Sequence, residues 1–158
     1  MKTDWTRLAI CIVLCESAGI VGSLATFSAI PTWYAALAKP AFAPPNWLFG
    51  PVWTILYASM GIALYLVWQK GLEKPEVKKA AAFFGVQLVL NVLWSLLFFG
   101  LHNPGLALVD IALLAVMIVA TAVQFKKVSA TAALLLLPYL AWVVFAAALN
   151  FGIWRLNP

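Results

Sequence analysis

Residues 105–125 read GLALVDIALLAVMIVATAVQF, a run in which Asp110 is the only charged side chain. A helix rises roughly 1.5 Å per residue, so a helix of this length crosses about 30 Å, the thickness of the hydrocarbon core of a bilayer. An apolar run this long with one charge indicates a transmembrane helix rather than the core helix of a soluble domain.

Four further apolar runs of similar length accompany this one. They cover residues 8–30, 47–68, 80–101 and 130–154, and segments containing Pro, Asn, His or Lys separate them. Strand-length segments with alternating apolar and polar residues, which a membrane β-barrel requires, do not occur. The sequence therefore predicts an all-α membrane protein, a single domain over residues 1–158 that is a bundle of five transmembrane helices.

The overall composition agrees with a chain that is solvated mostly by lipid. Of the 158 residues, 65% are hydrophobic and 9% are charged, and the mean hydropathy is +1.01. Ordinary globular chains carry about 25% charged residues. This composition excludes a soluble monomer, and it also excludes intrinsic disorder, which requires low hydrophobicity and high charge.

The basic residues are distributed unevenly between the two ends of the predicted bundle. With five spans, eight of the ten Lys and Arg residues share one side, and positive residues mark the cytoplasmic side. We therefore expect an integral, multi-pass protein with a cytoplasmic N-terminus and an external C-terminus, and no nucleic-acid partner for its net charge of +5. The eight are Lys2, Arg7, Lys70, Lys74, Lys78, Lys79, Lys126 and Lys127; Lys39 and Arg155 lie on the other side.

The two cysteines provide neither a disulfide framework nor a metal site. Cys11 and Cys15 are one helical turn apart within the first run, and the only histidine, His102, is far away in sequence. A structural zinc site needs more ligands than these. We predict no metal site, and we interpret the thiols as small buried apolar side chains.

Polar side chains recur at helical spacing inside the apolar runs. Because a polar group in hydrocarbon is costly, each stripe is expected to face other helices or a cavity. Hydrogen bonding between helices and a ligand cavity with a few polar anchors both account for this pattern. The stripes are Glu16, Gly19, Ser23 and Thr26 in the first run and Gln87, Asn91 and Ser95 in the third.

Two intramembrane carboxyl groups, on Glu16 and Asp110, lie on different spans. They are compatible with a proton relay. No Lys, Arg or His occurs at similar depth, which favours carboxyl groups that are protonated or hydrogen-bonded to their neighbours instead.

Three of the eight tryptophans lie deeper than the membrane interfaces, where tryptophans usually concentrate. Each shares a helix face with a second aromatic side chain, and several such faces together would form a flat apolar slot. The pattern alone leaves such a slot and plain packing equally open. The three pairs are Trp53 with Tyr57, Trp94 with Phe98, and Trp142 with Phe145.

The segment between the first two runs combines prolines with aromatic residues. Residues 32–53 read TWYAALAKPAFAPPNWLFGPVW. Proline restricts the backbone and lowers the entropy lost on ordering. This segment is therefore expected to be a stiff lid over the slot or a packed cap.

The motifs along the whole chain resemble those of the TspO/MBR family, which comprises the tryptophan-rich sensory proteins and the mitochondrial translocator protein. The order and spacing of these motifs make the resemblance specific. Phe42 departs from it, because the family often has Trp there, and Phe151 replaces the Tyr of a weak sterol-binding pattern. The matching residues are Trp33-Tyr34, Lys39-Pro40, 43–47 (APPNW), 50–54 (GPVWT), Tyr57, Asn91, Trp94-Ser95, 98–100 (FFG), Asp110, Pro138-Tyr139, Trp142 and Leu149-Asn150.

The resemblance implies a homodimeric five-helix membrane protein that binds porphyrins such as protoporphyrin IX and haem, as ligands rather than obligatory cofactors. It further implies a pocket under the first loop, walled by all five helices, in which Trp53 and Trp142 contact the ligand and take part in any light-dependent porphyrin breakdown. The implied ligand-binding residues are Tyr34, Pro44, Trp53, Tyr57, Asn91, Trp94, Phe98, Trp142 and Ala146.

Three functions are compatible with this reading. The first is a porphyrin-binding sensor or translocator, which requires only the slot. The second is a transporter of porphyrin or sterol-like amphipathic ligands, and the third is a light-dependent porphyrin-degrading enzyme. The sequence favours the first, because no catalytic constellation of residues stands out.

Overall fold

The computed structural model describes residues 3–158, so Lys2 of the charge count lies outside the described residues. The described part of the chain contains helices and no strands. Five helical segments are long and apolar enough to span a membrane, which confirms the predicted five-helix bundle. The helices are α1 (Trp5–Ala29), α2 (Phe49–Trp68), α3 (Pro75–Ser95), α4 (Pro104–Val128), α5 (Ala130–Leu134) and α6 (Leu137–Leu156).

Short polar side chains begin several of these helices. The Asp4 carboxylate accepts a hydrogen bond from the Arg7 backbone N–H at 3.1 Å, and Asn103 accepts one from Leu106 at 3.0 Å. Pro104 follows Asn103 at the first helical position, where a missing N–H costs nothing. These caps satisfy backbone donors that have no partner inside the helix.

The fifth predicted span is interrupted, which the continuous run 130–154 did not predict. α5 ends at Leu134 and α6 begins at Leu137. Pro138, in the first turn of α6, has no N–H to donate and its ring would clash with the preceding turn of a continuous helix. The Ser59 hydroxyl of α2 donates to the Leu135 carbonyl at 3.0 Å, which satisfies a backbone acceptor at the break.

Two helices end in wider π-helical turns at the same end of the bundle. Ile30–Tyr34 continues α1, and Leu96–Gly100 continues α3. Pro31 lacks the N–H of a regular α-helical hydrogen bond. In the second turn, the Leu101 N–H donates to the Leu96 carbonyl at 2.8 Å, across five residues. π turns of this kind rotate the residues that follow relative to the rest of the helix.

The helices pack as antiparallel neighbours, with α1 along α2, α3 along α4, and α4 along α6. Cys11 and Cys15 are free and buried in this packing, which confirms their interpretation as apolar core side chains. Large apolar side chains such as Val13 and Val116 remain about two-thirds exposed on the outside of the bundle. A surface of this kind suits the acyl chains of a bilayer, as expected for an integral multi-pass membrane protein.

Residues 35–45, the 1–2 connection, are fixed against α6. Asn157 accepts from the Ala38 N–H at 3.0 Å and donates to the Ala38 carbonyl at 2.9 Å. Pro40 lies so close to Gly152 that a Cβ there would be 2.9 Å from the proline ring. Phe42 packs edge-on against Phe145. The end of the bundle that carries this connection is called the loop end below.

Candidate functional site

A cavity of about 490 Å³ opens between α1, α2, α6 and the end of the third span, which is the last turn of α3 with the π turn that follows it. Its wall reaches Tyr34 and Asn46, which flank the 1–2 connection, so the cavity lies at the loop end. Its volume is within the range of about 300–1,000 Å³ that is typical of small-molecule sites. Its aromatic lining consists of Phe27, Tyr34, Trp47, Phe49, Trp53, Tyr57, Trp94, Phe98 and Phe99.

The structure brings six of the nine predicted ligand-binding residues onto this wall. Pro44, Asn91 and Trp142 do not line it. Pro44 lies in the 1–2 connection, while Asn91 and Trp142 lie behind residues that do line the wall. The six are Tyr34, Trp53, Tyr57, Trp94, Phe98 and Ala146.

Asn91 supports the wall through hydrogen bonds with two tyrosines. Its side-chain oxygen accepts from the Tyr57 hydroxyl, and its amide nitrogen donates to the Tyr139 hydroxyl at 2.9 Å. Asn91 and Tyr139 are 2% and 0% exposed, so water does not compete with these bonds. Hydrogen bonding between helices is therefore the role of Asn91, and it fixes the position of the Tyr57 ring in the cavity.

Replacement of Asn91 with leucine is expected to lower the free energy of unfolding by about 1–3 kcal/mol, because two buried phenols lose their partner. Denaturation by SDS in mixed micelles, followed by tryptophan fluorescence, measures this change. Val89→Leu, at a position of the same helix that is 67% exposed, serves as the control and should leave the transition unchanged. Equal stability of both variants would show that this network does not stabilise the fold.

A second polar link orients Trp94. Its indole N–H donates to the Asn150 side-chain oxygen at 3.0 Å, and the Asn150 amide donates to the Pro104 carbonyl at 2.8 Å. The Trp94 ring stacks on Phe98 with centroids 5.3 Å apart. The link thus joins α3, α6 and the start of α4, and it fixes the Trp94 ring on the cavity wall.

Trp142 occupies a second layer behind the wall. Its ring meets Phe49 edge-on at 6.0 Å and packs against Phe145 at 5.3 Å, and Phe49 is the residue that lines the cavity. The Trp142 indole nitrogen is buried without a hydrogen-bond partner among the described residues. Trp53, in contrast, lines the cavity itself and packs on Tyr57 with centroids 5.5 Å apart.

The polar stripe of α1 lies on the cavity wall, as its helical spacing indicated. All four members, Glu16, Gly19, Ser23 and Thr26, line the cavity. Sequence reasoning did not assign them to ligand binding, although their common face was the available signal. The three members of the polar stripe in the third run lie in different surroundings. Ser95 lines the cavity and Asn91 is hydrogen-bonded to the two tyrosines, whereas the Gln87 side chain is buried without a hydrogen-bond partner among the described residues.

α4 does not contribute to the wall, which differs from the five-helix pocket that the family resemblance implied. It is separated from the cavity because it packs along α3 and α6 on the opposite side of the bundle from α1 and α2. Asp110 is therefore 4% exposed inside the helix packing, whereas Glu16 faces the cavity. The two carboxyl groups do not share one cavity, so the structure gives no support to a relay between them.

One carboxyl group and one ammonium group lie near the cavity, that of Glu16 on its wall and that of Lys39 beside its loop end. No Lys, Arg or His of the described chain lines the wall. At the loop end, the Lys39 ammonium lies 4.7 Å from the centroid of the Tyr34 ring and donates to the Leu37 carbonyl at 3.0 Å. The site thus combines an apolar aromatic interior with a cation beside its loop end, an arrangement suited to an amphipathic anion.

Comparison with known proteins finds relatives that match most of this chain and most of their own length. The sequence profile of the TspO/MBR family matches residues 11–155. The chain is 50% identical over 158 residues to a tryptophan-rich protein TspO of Chlorobaculum tepidum, with both chains covered completely. It is 49% identical to a tryptophan-rich protein TspO of Archaeoglobus fulgidus, covering 96% of this chain and 97% of that one. A translocator protein of Ovis aries is 46% identical over 79% of this chain and 75% of its own. The chain belongs to the TspO/MBR family.

Proposed function

We propose that the chain binds flat, amphipathic aromatic molecules of the porphyrin class, protoporphyrin IX and haem, in the cavity at the loop end, and that it acts as a sensor or translocator of such ligands. The observation that carries this proposal is the convergence of Trp53, Trp94 and Phe98 on one cavity. Large planar rings bury extensive apolar area against such side chains and stack on their faces.

The charge distribution supports one orientation of such a ligand. The macrocycle would lie among the aromatic side chains, and its propionate groups would point to the loop end, where Lys39 lies beside Tyr34. A carboxylate is stabilised by a nearby ammonium and is costly in an apolar interior. This orientation keeps both ends of an amphipathic ligand in suitable surroundings.

The orientation of the bundle in the membrane is part of the same proposal. Seven of the nine described Lys and Arg residues lie at the end opposite the loop end, where the Arg7 guanidinium lies 5.5 Å from the Trp68 ring. By the positive-inside rule that end faces the cytoplasm. The cavity would then lie toward the side of the membrane that faces away from the cytoplasm.

A protoporphyrin IX titration of the detergent-purified protein in the dark tests this function. Quenching of tryptophan fluorescence and a shifted Soret band should saturate, and Trp53→Ala should weaken binding about tenfold or more because a stacking partner is lost. Trp5→Ala is the matched control: Trp5 is 74% exposed and distant from the cavity, so the affinity should not change.

Two extensions of the titration separate the alternative functions. Illumination that yields a new product only with intact Trp53 would favour an enzyme, and net porphyrin movement in proteoliposomes would favour a transporter. Binding that does not saturate, or that is equal in both tryptophan variants, would contradict the proposal.

A further inference from the structure

The floor of the cavity is its end farthest from the loop end. On each helix, one lining residue lies farthest from the loop end, and these residues form the floor. They are Glu16 on α1, Tyr57 on α2, Trp94 on the third span and Ala146 on α6. α1 and α2 approach closely here: a Cβ on Gly19 would lie 2.5 Å from a carbon of the Tyr57 ring, which is closer than van der Waals contact. Glu16 lies about one helical turn before Gly19 and therefore at or below the level of that ring.

The other polar groups of the floor are already hydrogen-bonded within the chain. The Tyr57 hydroxyl donates to Asn91, and the Trp94 indole donates to Asn150. Ala146 has no polar side-chain atom. Within residues 3–158, the Glu16 side chain makes no hydrogen bond and no ion pair. The ion pair in this part of the chain joins Arg7 to Asp4 instead.

Three hydroxyl groups higher on the wall are engaged as well. Ser23 donates to the Ile20 carbonyl at 2.7 Å, Thr26 donates to Gly22 at 3.0 Å, and Thr54 of α2 donates at 3.0 Å to a carbonyl in its own helix. None of these three can act as a donor to Glu16 without giving up a backbone bond. The remaining wall hydroxyls, of Ser95 and Tyr34, lie nearer the loop end, Ser95 opposite Gly22 and Tyr34 next to the 1–2 connection. The Glu16 carboxyl group is therefore an acceptor that the chain leaves for something else.

From this arrangement we propose that Glu16 is a ligand-binding and specificity-determining residue, which selects flat aromatic molecules that carry a nitrogen-borne proton, as an ammonium or an N–H group, toward the floor of the cavity. A carboxyl group at membrane depth without a partner is costly, and a donor nitrogen of the ligand supplies that partner. This inference rests on the proposed function, since it assumes that a flat aromatic molecule fills the cavity.

Two pyrene probes of the same shape test the assignment. 1-Pyrenemethylamine carries an ammonium group and 1-methylpyrene does not; binding is followed by energy transfer from tryptophan to pyrene in one detergent. The wild type should favour the amine, and Glu16→Gln should reduce the ratio of the two affinities about tenfold or more, because it loses a charge-assisted hydrogen bond. Comparing proteins in the same detergent cancels the partition of each probe into micelles.

Ser17→Ala is the matched control variant. Ser17 is adjacent to Glu16 but exposed, its hydroxyl donates to the Leu14 carbonyl at 2.7 Å, and it does not line the cavity. This variant should keep the wild-type preference for the amine. A preference that survives in Glu16→Gln, or that is absent from the wild type, would overturn the assignment of Glu16.

A measurement on the wild type alone covers the case in which Glu16→Gln does not fold. Dicyclohexylcarbodiimide modifies carboxyl groups within membranes, and mass spectrometry locates the adduct. N,N-Dimethyl-1-pyrenemethylamine, a tertiary ammonium that the carbodiimide cannot couple to the carboxyl group as it would a primary amine, should protect Glu16 from modification more strongly than 1-methylpyrene does; equal protection would refute the proposal. Binding of protoporphyrin IX without any preference between the pyrenes would reject the role of Glu16 alone, whereas failure to bind porphyrin and both pyrenes would reject the proposed function as well.

Discussion

Replacement of Gly50 with leucine is expected to weaken protoporphyrin IX binding by at least about tenfold while the fold is retained. Gly50 lines the cavity, and a Cβ built on it meets no atom within 4 Å. Because Gly50 lines the cavity and has open space around it, a leucine side chain there is expected to take up cavity volume and displace the ligand instead of the protein. Leucine also has a higher helix propensity than glycine, by several tenths of a kcal/mol.

The chain offers a matched control for this substitution at Gly85. A Cβ on Gly85 likewise meets nothing within 4 Å, but Gly85 lies on an exposed face of α3 and does not line the cavity. Gly85→Leu should therefore bind protoporphyrin IX like the wild type in the same fluorescence titration. If both leucine variants bind equally well, the ligand does not occupy this cavity.

The second large effect is expected at Gly61, where α1 and α2 are in backbone contact. A Cβ on Gly61 would lie 2.6 Å from the Ile12 Cα and 2.9 Å from the Ile12 nitrogen. Backbone atoms cannot rotate away as a side chain does, so the two helices must separate. Gly61→Val is expected to lower the free energy of unfolding by about 3 kcal/mol, the upper end of overpacking effects, or to prevent folding.

Thermal unfolding in detergent, followed by circular dichroism, measures this loss. Gly61→Ala should lie between the wild type and Gly61→Val, since its single methyl group forces a smaller separation. Gly85→Val again provides the control, because its side chain extends into open space. A Gly61→Val protein as stable as Gly85→Val would show that α1 and α2 do not depend on this contact.

The common face of the α1 stripe was predictable, because a helix repeats every 3.6 residues and so brings Glu16, Gly19 and Ser23 to one side. The same periodicity could not indicate whether that side met a cavity or another helix. On the third span, Gln87, Asn91 and Ser95 have equally regular spacing, yet only Ser95 reaches the cavity. The difference arises from the neighbours of each residue, since Tyr57 and Tyr139 enclose Asn91.

The positions of the deep tryptophans show a similar limit. From the sequence, Trp53 and Trp142 were both expected to line the slot, since each lies within a span and shares a helix face with a second aromatic residue. In the structure Phe49 separates Trp142 from the cavity, whereas Trp53 lies on the wall. Whether a tryptophan reaches the cavity depends on how its helix packs against the others, and the spacing within one helix does not specify this.

By itself, the sequence determined the solvent, the number of spans and the residues that share each helix face, because hydrophobicity and helical period are local properties. The tertiary structure decided the separation of α4 from the cavity and the isolation of Glu16 at the floor, and it stabilises the break at residues 135–136 that Pro138 favours locally. These features depend on contacts between residues distant in the chain, such as Ser59 with Leu135 and Trp94 with Asn150. Such contacts exist only after the helices have packed, so no local pattern encodes them.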